Sequence, residues 1–372
     1  MKQAIQFTLP DGRQVSGHIN DGETVSEAAR RLGIPVRTPC GGVGRCGKCR
    51  MIKDGHPVLA CRIYAPGSYA IPEETISGAI AKIDSATAFE VSMSATPGIK
   101  PIAVDVPAPE FDSGDNSDVR RLTVALQPVC AEPLDIPQRL YPAITEQLIK
   151  SQRIGATIAQ TAGRARLTSV RPADADSRYA IACDLGTTTV AARLIDVATG
   201  AIIAVASRMN RQYTLADDVA SRITAAETDG GLAELQRLIV QETLLPLLDE
   251  LCDDAAVQRD RIDAWVVAGN SIMTHLLLGW PVRGFGRIPF NGVSLEPPVI
   301  EAATIGLTLA DGALLFAFPS LAAYIGGDIT AGIAATGLLD RTKTTLFVDL
   351  GTNCEIVLAH NGRYTADRKS VV

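Results

Sequence analysis

The sequence predicts a multidomain chain that mixes α+β and α/β architecture, and three observations carry that prediction. Cys40, Cys46 and Cys49 sit in one glycine-rich run of a short N-terminal strand–helix unit, and Cys61 follows twelve positions after the third. The tetrapeptide Asp-Leu-Gly-Thr occurs at Asp184 and again at Asp349, each time between two apolar, strand-like runs. With 372 residues, 47% hydrophobic and 20% charged, the chain is long enough for two or three cores of ordinary soluble composition.

The N-terminal unit reads in order. Ala4 to Leu9 and Gln14 to Ile19 alternate apolar and polar residues around Asp11-Gly12, as paired strands do. Thr24-Val25-Ser26-Glu27 is a capping box, and Val25, Ala28, Ala29 and Leu32 recur at helical spacing until Gly33 stops the helix. The cysteine run Pro39–Cys49 comes next, then a short hairpin through Asp54-Gly55 and a strand that carries Cys61.

A C-x5-C-x2-C loop with one later cysteine is the ligand pattern of a [2Fe–2S] cluster. Its glycines let the backbone wrap closely and turn N–H groups toward sulfur. Structural zinc draws on two close pairs, whereas only Cys46 and Cys49 form one here. Met1 to Ala4 shows no apolar signal segment, so a reducing cytoplasm is expected and a disulfide framework is not. Cys130, Cys183, Cys252 and Cys354 stand singly in apolar surroundings and read as core residues. Strand, strand, helix, cluster loop, strand resembles the β-grasp fold of plant- and adrenodoxin-type ferredoxins over residues 1–75.

The net charge of −6 argues against a nucleic-acid partner, and no apolar run spans a membrane without Gly, Pro or charge. The charge is uneven, however. Residues 1–70 hold ten Lys/Arg against five Asp/Glu, with Arg37, Arg45, Lys48 and Arg50 flanking the cysteines. That patch suits either the neutralisation of four thiolates or the steering of an acidic electron donor; an ordinary solvated surface weighs equally.

Residues 76–120 change to Pro, Ala, Ser and Thr and read as a linker. Residues 121–177 read as a small domain, with an apolar strand from Leu122 to Leu126 and a helix between Ile136 and Ser151.

The second device opens at residue 178. Ala180–Cys183 is an apolar strand leading into Asp184-Leu185-Gly186-Thr187-Thr188-Thr189. A strand from Val190 to Ile195 leaves that turn, and a third follows Ala198-Thr199-Gly200. About 165 residues later, Leu346–Val348 enters Asp349-Leu350-Gly351-Thr352-Asn353, and Glu355 to Leu358 leaves. Each turn offers backbone N–H groups and hydroxyls for phosphate oxygens, and a carboxylate for magnesium or its water. One such turn is weak evidence, whereas two in the same strand–turn–strand setting are much stronger. Between them, Asn270 and Asp328 stand where a strand end meets a helix start; each alone reads as a helix cap.

The paired turns resemble the two phosphate loops of the superfamily of actin, heat-shock chaperone ATPases and sugar kinases, with its ribonuclease H-like fold. Together with the cysteine loop and the run Val267-Ala-Gly-Asn-Ser-Ile-Met-Thr-His, they resemble the reductive activators of corrinoid proteins over nearly the whole chain. The resemblance implies that Cys40, Cys46, Cys49 and Cys61 hold a [2Fe–2S] cluster. It implies that Asp184 and Asp349 serve the chemistry of Mg-ATP, with Gly186, Thr187, Thr188, Gly351, Thr352 and Asn353 around the nucleotide. It implies a corrinoid protein of a methyltransferase system as partner, reduced from cob(II)alamin to cob(I)alamin, and a ferredoxin- or flavodoxin-type low-potential donor. No Asp-x-His-x-x-Gly motif occurs, so the corrinoid belongs to the partner.

Two departures qualify the resemblance. Cys354 stands where the pattern has glycine, and the sequence stops about 20 residues past Asp349. The expectation is therefore an ATPase domain over 178–372 that is incomplete at its C-terminus, with its last strands leaving an apolar face uncovered. Two other readings stay open: an electron-carrier module with a non-hydrolysing docking domain, and an activator of another low-potential metalloenzyme.

Overall fold

The computed structural model describes residues 3–370 apart from 39–43, 45–46, 77–97, 112–113, 115, 131, 162, 175–176, 297–298 and 352. Its first unit is a five-stranded sheet with one helix. Strands β1 (Gln3–Thr8) and β2 (Gln14–Ile19), helix α1 (Val25–Arg31) and strands β3 (Arg50–Lys53), β4 (His56–Leu59) and β5 (Gly67–Ala70) follow in the chain. The sheet order is β2-β1-β5-β3-β4, with β1 and β5 parallel. Alternation puts Ile5, Phe7, Met51 and Tyr69 on one face, where Val25, Ala28 and Ala29 of α1 cover them. The capping box forms: Thr24 Oγ1 accepts from Glu27 N, and the Glu27 carboxylate accepts from Thr24 N at 2.7 Å. Cys61 lies not in a strand but in the 3-10 turn Ala60–Arg62 that follows β4. Ala60 N donates to Cys49 O, and the chain curls there instead of extending the hairpin.

The second unit corrects two expectations. Strand β6 (Ile99–Asp105) lies inside the stretch read as linker, and Leu122–Leu126 is not a strand but the end of helix α2 (Asp118–Leu126). Leu122 and Leu126 are four apart and wholly buried, and they meet Ile144 and Leu148 of α3 (Tyr141–Lys150). With β7 (Leu134–Asp135), β8 (Arg153–Thr161) and β9 (Arg164–Pro172), the sheet order is β6-β8-β9-β7.

The third unit holds the largest core. Strands β10 (Tyr179–Leu185), β11 (Thr189–Asp196) and β12 (Ile202–Met209) form an antiparallel meander. Helices α4 (Val219–Ala226), α5 (Gly231–Ile239) and α6 (Leu245–Ala255) follow, the last two joined by a π-helical turn. Strand β13 (Ile262–Gly269) then pairs parallel with β10; α7 (Ser271–Leu277), β14 (Val299–Glu301) and β15 (Leu314–Ala317) complete the order β12-β11-β10-β13-β15-β14. Trp265 is wholly buried at its centre. Wholly buried Asp263 ties this unit to the second, accepting from Arg178 Nε at 2.7 Å and Thr168 Oγ1 at 3.0 Å.

Helix α8 (Gly327–Ala335) leads to a separate three-stranded sheet, β16 (Thr345–Leu350), β17 (Asn353–His360) and β18 (Arg363–Ser370). One face packs Val357, Ala359 and Phe347 on Ile329 and Ile333 of α8. The other exposes Leu346, Val348 and Leu350 at 59%, 41% and 80%. Among the described residues, no helix is long and apolar enough to cross a membrane.

Candidate functional site

The two Asp-Leu-Gly-Thr turns face each other across an open cleft of ≈ 790 Å³. Asp184, Gly186, Thr187 and Thr188 line one wall, and Asp349, Gly351 and Asn353 line the other. Thr352 lies outside the described residues.

The first turn is held from three sides. Asn210 Nδ2 donates to Gly186 O at 3.0 Å, Arg222 Nη2 donates to Thr187 O at 2.8 Å, and Asn270 Nδ2 donates to Thr187 Oγ1 at 3.1 Å. A Cβ on Gly186 would stand 2.2 Å from Thr189 O, so the turn closes only with glycine. Asn270 is the cap its position suggests, accepting from Met273 N at 2.9 Å, yet its amide also reaches the turn. The second turn is held more lightly. Gly351 N donates to Asn353 O at 2.9 Å, and a Cβ on Gly351 would meet nothing nearer than 3.7 Å.

Four carboxyls converge on the cleft: Asp184, Asp328, Asp349 and Glu355. Desolvation pushes Asp184 up to about 6, reinforced by the charges of Asp328 and Asp349. Asp328, Asp349 and Glu355 are also raised, in each case chiefly by burial. Glu355 accepts from Arg368 Nε at 2.9 Å, which partly offsets its repulsion from the others. A divalent cation would favour the ionised form of all four. They approach from different walls, and among the described residues no three His, Cys, Asp or Glu side chains stand close enough to form a metal cage. Carboxylates that approach from different walls could hold a cation that keeps most of its waters and shares its sphere with phosphate oxygens, as magnesium does. Glu355 escaped the sequence reading, since strand alternation alone gives no sign that its side chain turns into a cleft.

Away from this cleft, Cys49 and Cys61 are buried with their sulfurs 3.2 Å apart and unbridged. Two thiolates on one tetrahedral metal with bonds of about 2.3 Å stand roughly 3.8 Å apart. The pair therefore fits two adjacent metal ligands after a small opening. Cys40 and Cys46 lie outside the described residues. Cys130, Cys183 and Cys252 are buried and Cys354 is half-buried; burial pushes the Cys183 thiol up to about 12, as befits an inert core thiol.

Comparison with known proteins agrees with this layout. Residues 179–341 match the family model described as the RACo middle region. The corrinoid activation enzyme RamQ of Eubacterium limosum is 27% identical over 361 residues, an alignment covering 91% of this chain and 57% of that protein. A solved structure described as a reductive activator for a corrinoid, iron-sulfur protein aligns with 98% of this chain and 63% of its own, at 27% identity and a TM-score of 0.68. The chain thus spans about three-fifths of the length of these relatives, and along nearly all of its own length it is similar to corrinoid reductive activators.

Proposed function

We propose that the chain is an ATP-dependent electron-transfer protein that reactivates a partner corrinoid protein, taking cob(II)alamin to cob(I)alamin. The observation that carries this reading is the meeting of both Asp-Leu-Gly-Thr turns in one cleft, in a chain that also buries Cys49 against Cys61. Similarity to a corrinoid activation enzyme and to a reductive activator supports the choice of partner.

Cys40, Cys46, Cys49 and Cys61 are the ligands of a [2Fe–2S] cluster on a β-grasp domain, and such a group supplies a one-electron carrier. The fold's part is to bury Cys49 and Cys61 under α1 and β3, which excludes water from two of the four sulfurs. At the cleft, Gly186 to Thr188 and Gly351 to Asn353 grip the phosphates of ATP through backbone N–H groups and hydroxyls. Asp184 and Asp349, with Asp328 and Glu355 in the same cleft, would hold the magnesium ion or its waters. Arg37, Lys48 and Arg50 are exposed beside the cysteine loop and receive an acidic donor of ferredoxin or flavodoxin type. The coupling matters because reduction of cob(II)alamin is uphill from cellular donors, and ATP supplies the drive.

The test is anaerobic reduction of a corrinoid partner's cob(II)alamin, followed by absorbance, with a low-potential donor. Cob(I)alamin should accumulate only when Mg-ATP is also present. Equal accumulation without nucleotide would reduce the chain to an electron carrier with a docking domain.

A further inference from the structure

The N-terminal unit is latched to the nucleotide-side unit at the carboxylate of Asp217. Arg30, at the end of α1, donates Nη1 to Asp217 Oδ1 at 2.9 Å. Thr38, two residues before Cys40, donates its backbone N–H to Asp217 Oδ2 at 2.7 Å, and its hydroxyl donates to the same oxygen. Arg30 Nη1 also donates to Thr38 Oγ1 at 3.1 Å, so the three groups close a ring. Arg30 and Asp217 keep only 10% and 16% of their side-chain exposure, which makes this an ion pair shielded from solvent rather than a loose surface contact.

Asp217 is in turn linked to the first phosphate turn through its chain neighbours. The next residue, Asp218, caps α4, accepting from Ser221 N at 2.7 Å. One turn further along α4, wholly buried Arg222 bridges Ala216 O, through Nε at 3.1 Å, and Thr187 O, through Nη2 at 2.8 Å. The guanidinium therefore holds the residue before the latch and the phosphate turn on one rigid group. A small cavity of ≈ 80 Å³ separates Pro35–Thr38 from Thr187 and Thr188, leaving the turn room to shift.

We propose that Asp217 is a positioning residue that couples occupancy of the Thr187–Thr188 turn to the Pro35–Thr38 segment, which leads in sequence to Cys40. The inference rests on the functional reading above and adds the route by which the two halves sense each other. A turn that closes on a phosphate pulls Thr187, and with it Arg222, the Ala216–Asp218 segment and Thr38. Linkage makes the effect reciprocal: a nucleotide that binds the oxidised and reduced forms unequally must shift the midpoint potential of the cluster.

The experiment is an anaerobic redox titration of the chain, read by EPR, with and without millimolar Mg-ATP. About tenfold tighter nucleotide binding to one redox form corresponds to a shift of about 59 mV for a one-electron couple. The unaltered chain should show a shift of this order. Asp217→Ala and Arg30→Met should each abolish it while keeping iron content and Mg-ATP affinity in the oxidised form. A shift that persists in both variants would overturn the proposal, and so would its absence in an unaltered chain shown to hold both iron and nucleotide. Loss of iron in both variants would make the latch purely structural and also overturn it. An unaltered chain without iron, or without nucleotide binding, would overturn the functional reading itself and the coupling with it.

Discussion

The same tetrapeptide closes both walls of the cleft, but the two copies sit in different physical surroundings. At the first, Leu185 is wholly buried in the largest core and Gly186 is pressed against Thr189 O; Asn210, Arg222 and Asn270 hold the backbone. At the second, Leu350 is 80% exposed, a Cβ on Gly351 would make only ordinary van der Waals contact, and the strands form a three-stranded sheet covered on one face only. Within the described residues, one turn is wedged into a full core and the other stands on a sheet with one open face, in a chain that spans about three-fifths of its relatives' length. A turn of this kind takes its backbone shape and its carboxylate from the tetrapeptide, while its stiffness is borrowed from whatever packs around it.

The largest expected effect tests whether both walls serve the chemistry. Asp184→Ala and Asp349→Ala should each lower ATP-dependent cob(II)alamin reduction by about 10²–10³-fold, the usual loss for a group that stabilises developing charge. The EPR spectrum of the reduced cluster should stay unchanged. Retention of full rate by Asp349→Ala would confine the chemistry to the first wall.

Stability should separate the two copies sharply. Leu185→Ala removes a wholly buried side chain and should cost about 2–5 kcal/mol in chemical denaturation. Leu350→Ala, at the matching position, should stay within about 0.5 kcal/mol. Equal losses would mean that the exposed face of β16 is covered in solution.

The glycines give a finer contrast. Gly186→Ala forces a Cβ against a backbone oxygen and should cost about 1–3 kcal/mol together with nucleotide affinity. Gly351→Ala finds ordinary van der Waals room and should leave both nearly unchanged, as calorimetry with Mg-ATP would show.

The smallest effect is on pH. Asp184 is raised to about 6, so it is protonated below that value and cannot serve a cation there. Mg-ATP binding should weaken by about tenfold at pH 5 relative to pH 7.5, and Asp184→Asn should flatten the profile. The sign for stability is opposite. A carboxyl raised from 3.8 in the unfolded chain to about 6 in the folded one stabilises the fold at low pH, and that contribution fades as pH rises through 6.

Much of this was legible in the sequence, for reasons that are local. The strands around Asp184 and Asp349, the capping box at Thr24 and the turn from β13 into α7 are all written in short-range alternation and caps. Leu122–Leu126 misled because a five-residue apolar run does not distinguish strand from helix; the deciding feature is Leu122 and Leu126 meeting α3, a contact made across the chain. Ile99–Asp105 hid in a Pro- and Ala-rich stretch, since an alternating strand containing Pro101 looks like a linker until β8 pairs with it. Glu355 and the Asp217 latch were beyond reach for a similar reason. The latch joins residues 187 and 179 positions apart, and no local pattern marks either partner.

Whether a one-electron centre at Cys49 and Cys61 shares the chain with a nucleotide cleft is read by EPR with metal analysis on anaerobically purified protein. The protein should be red-brown, with about two irons per chain and a rhombic S = 1/2 signal on reduction. That signal should be lost in Cys46→Ala and kept in Cys252→Ala. Stoichiometric zinc without iron, and no signal on reduction, would contradict such a centre.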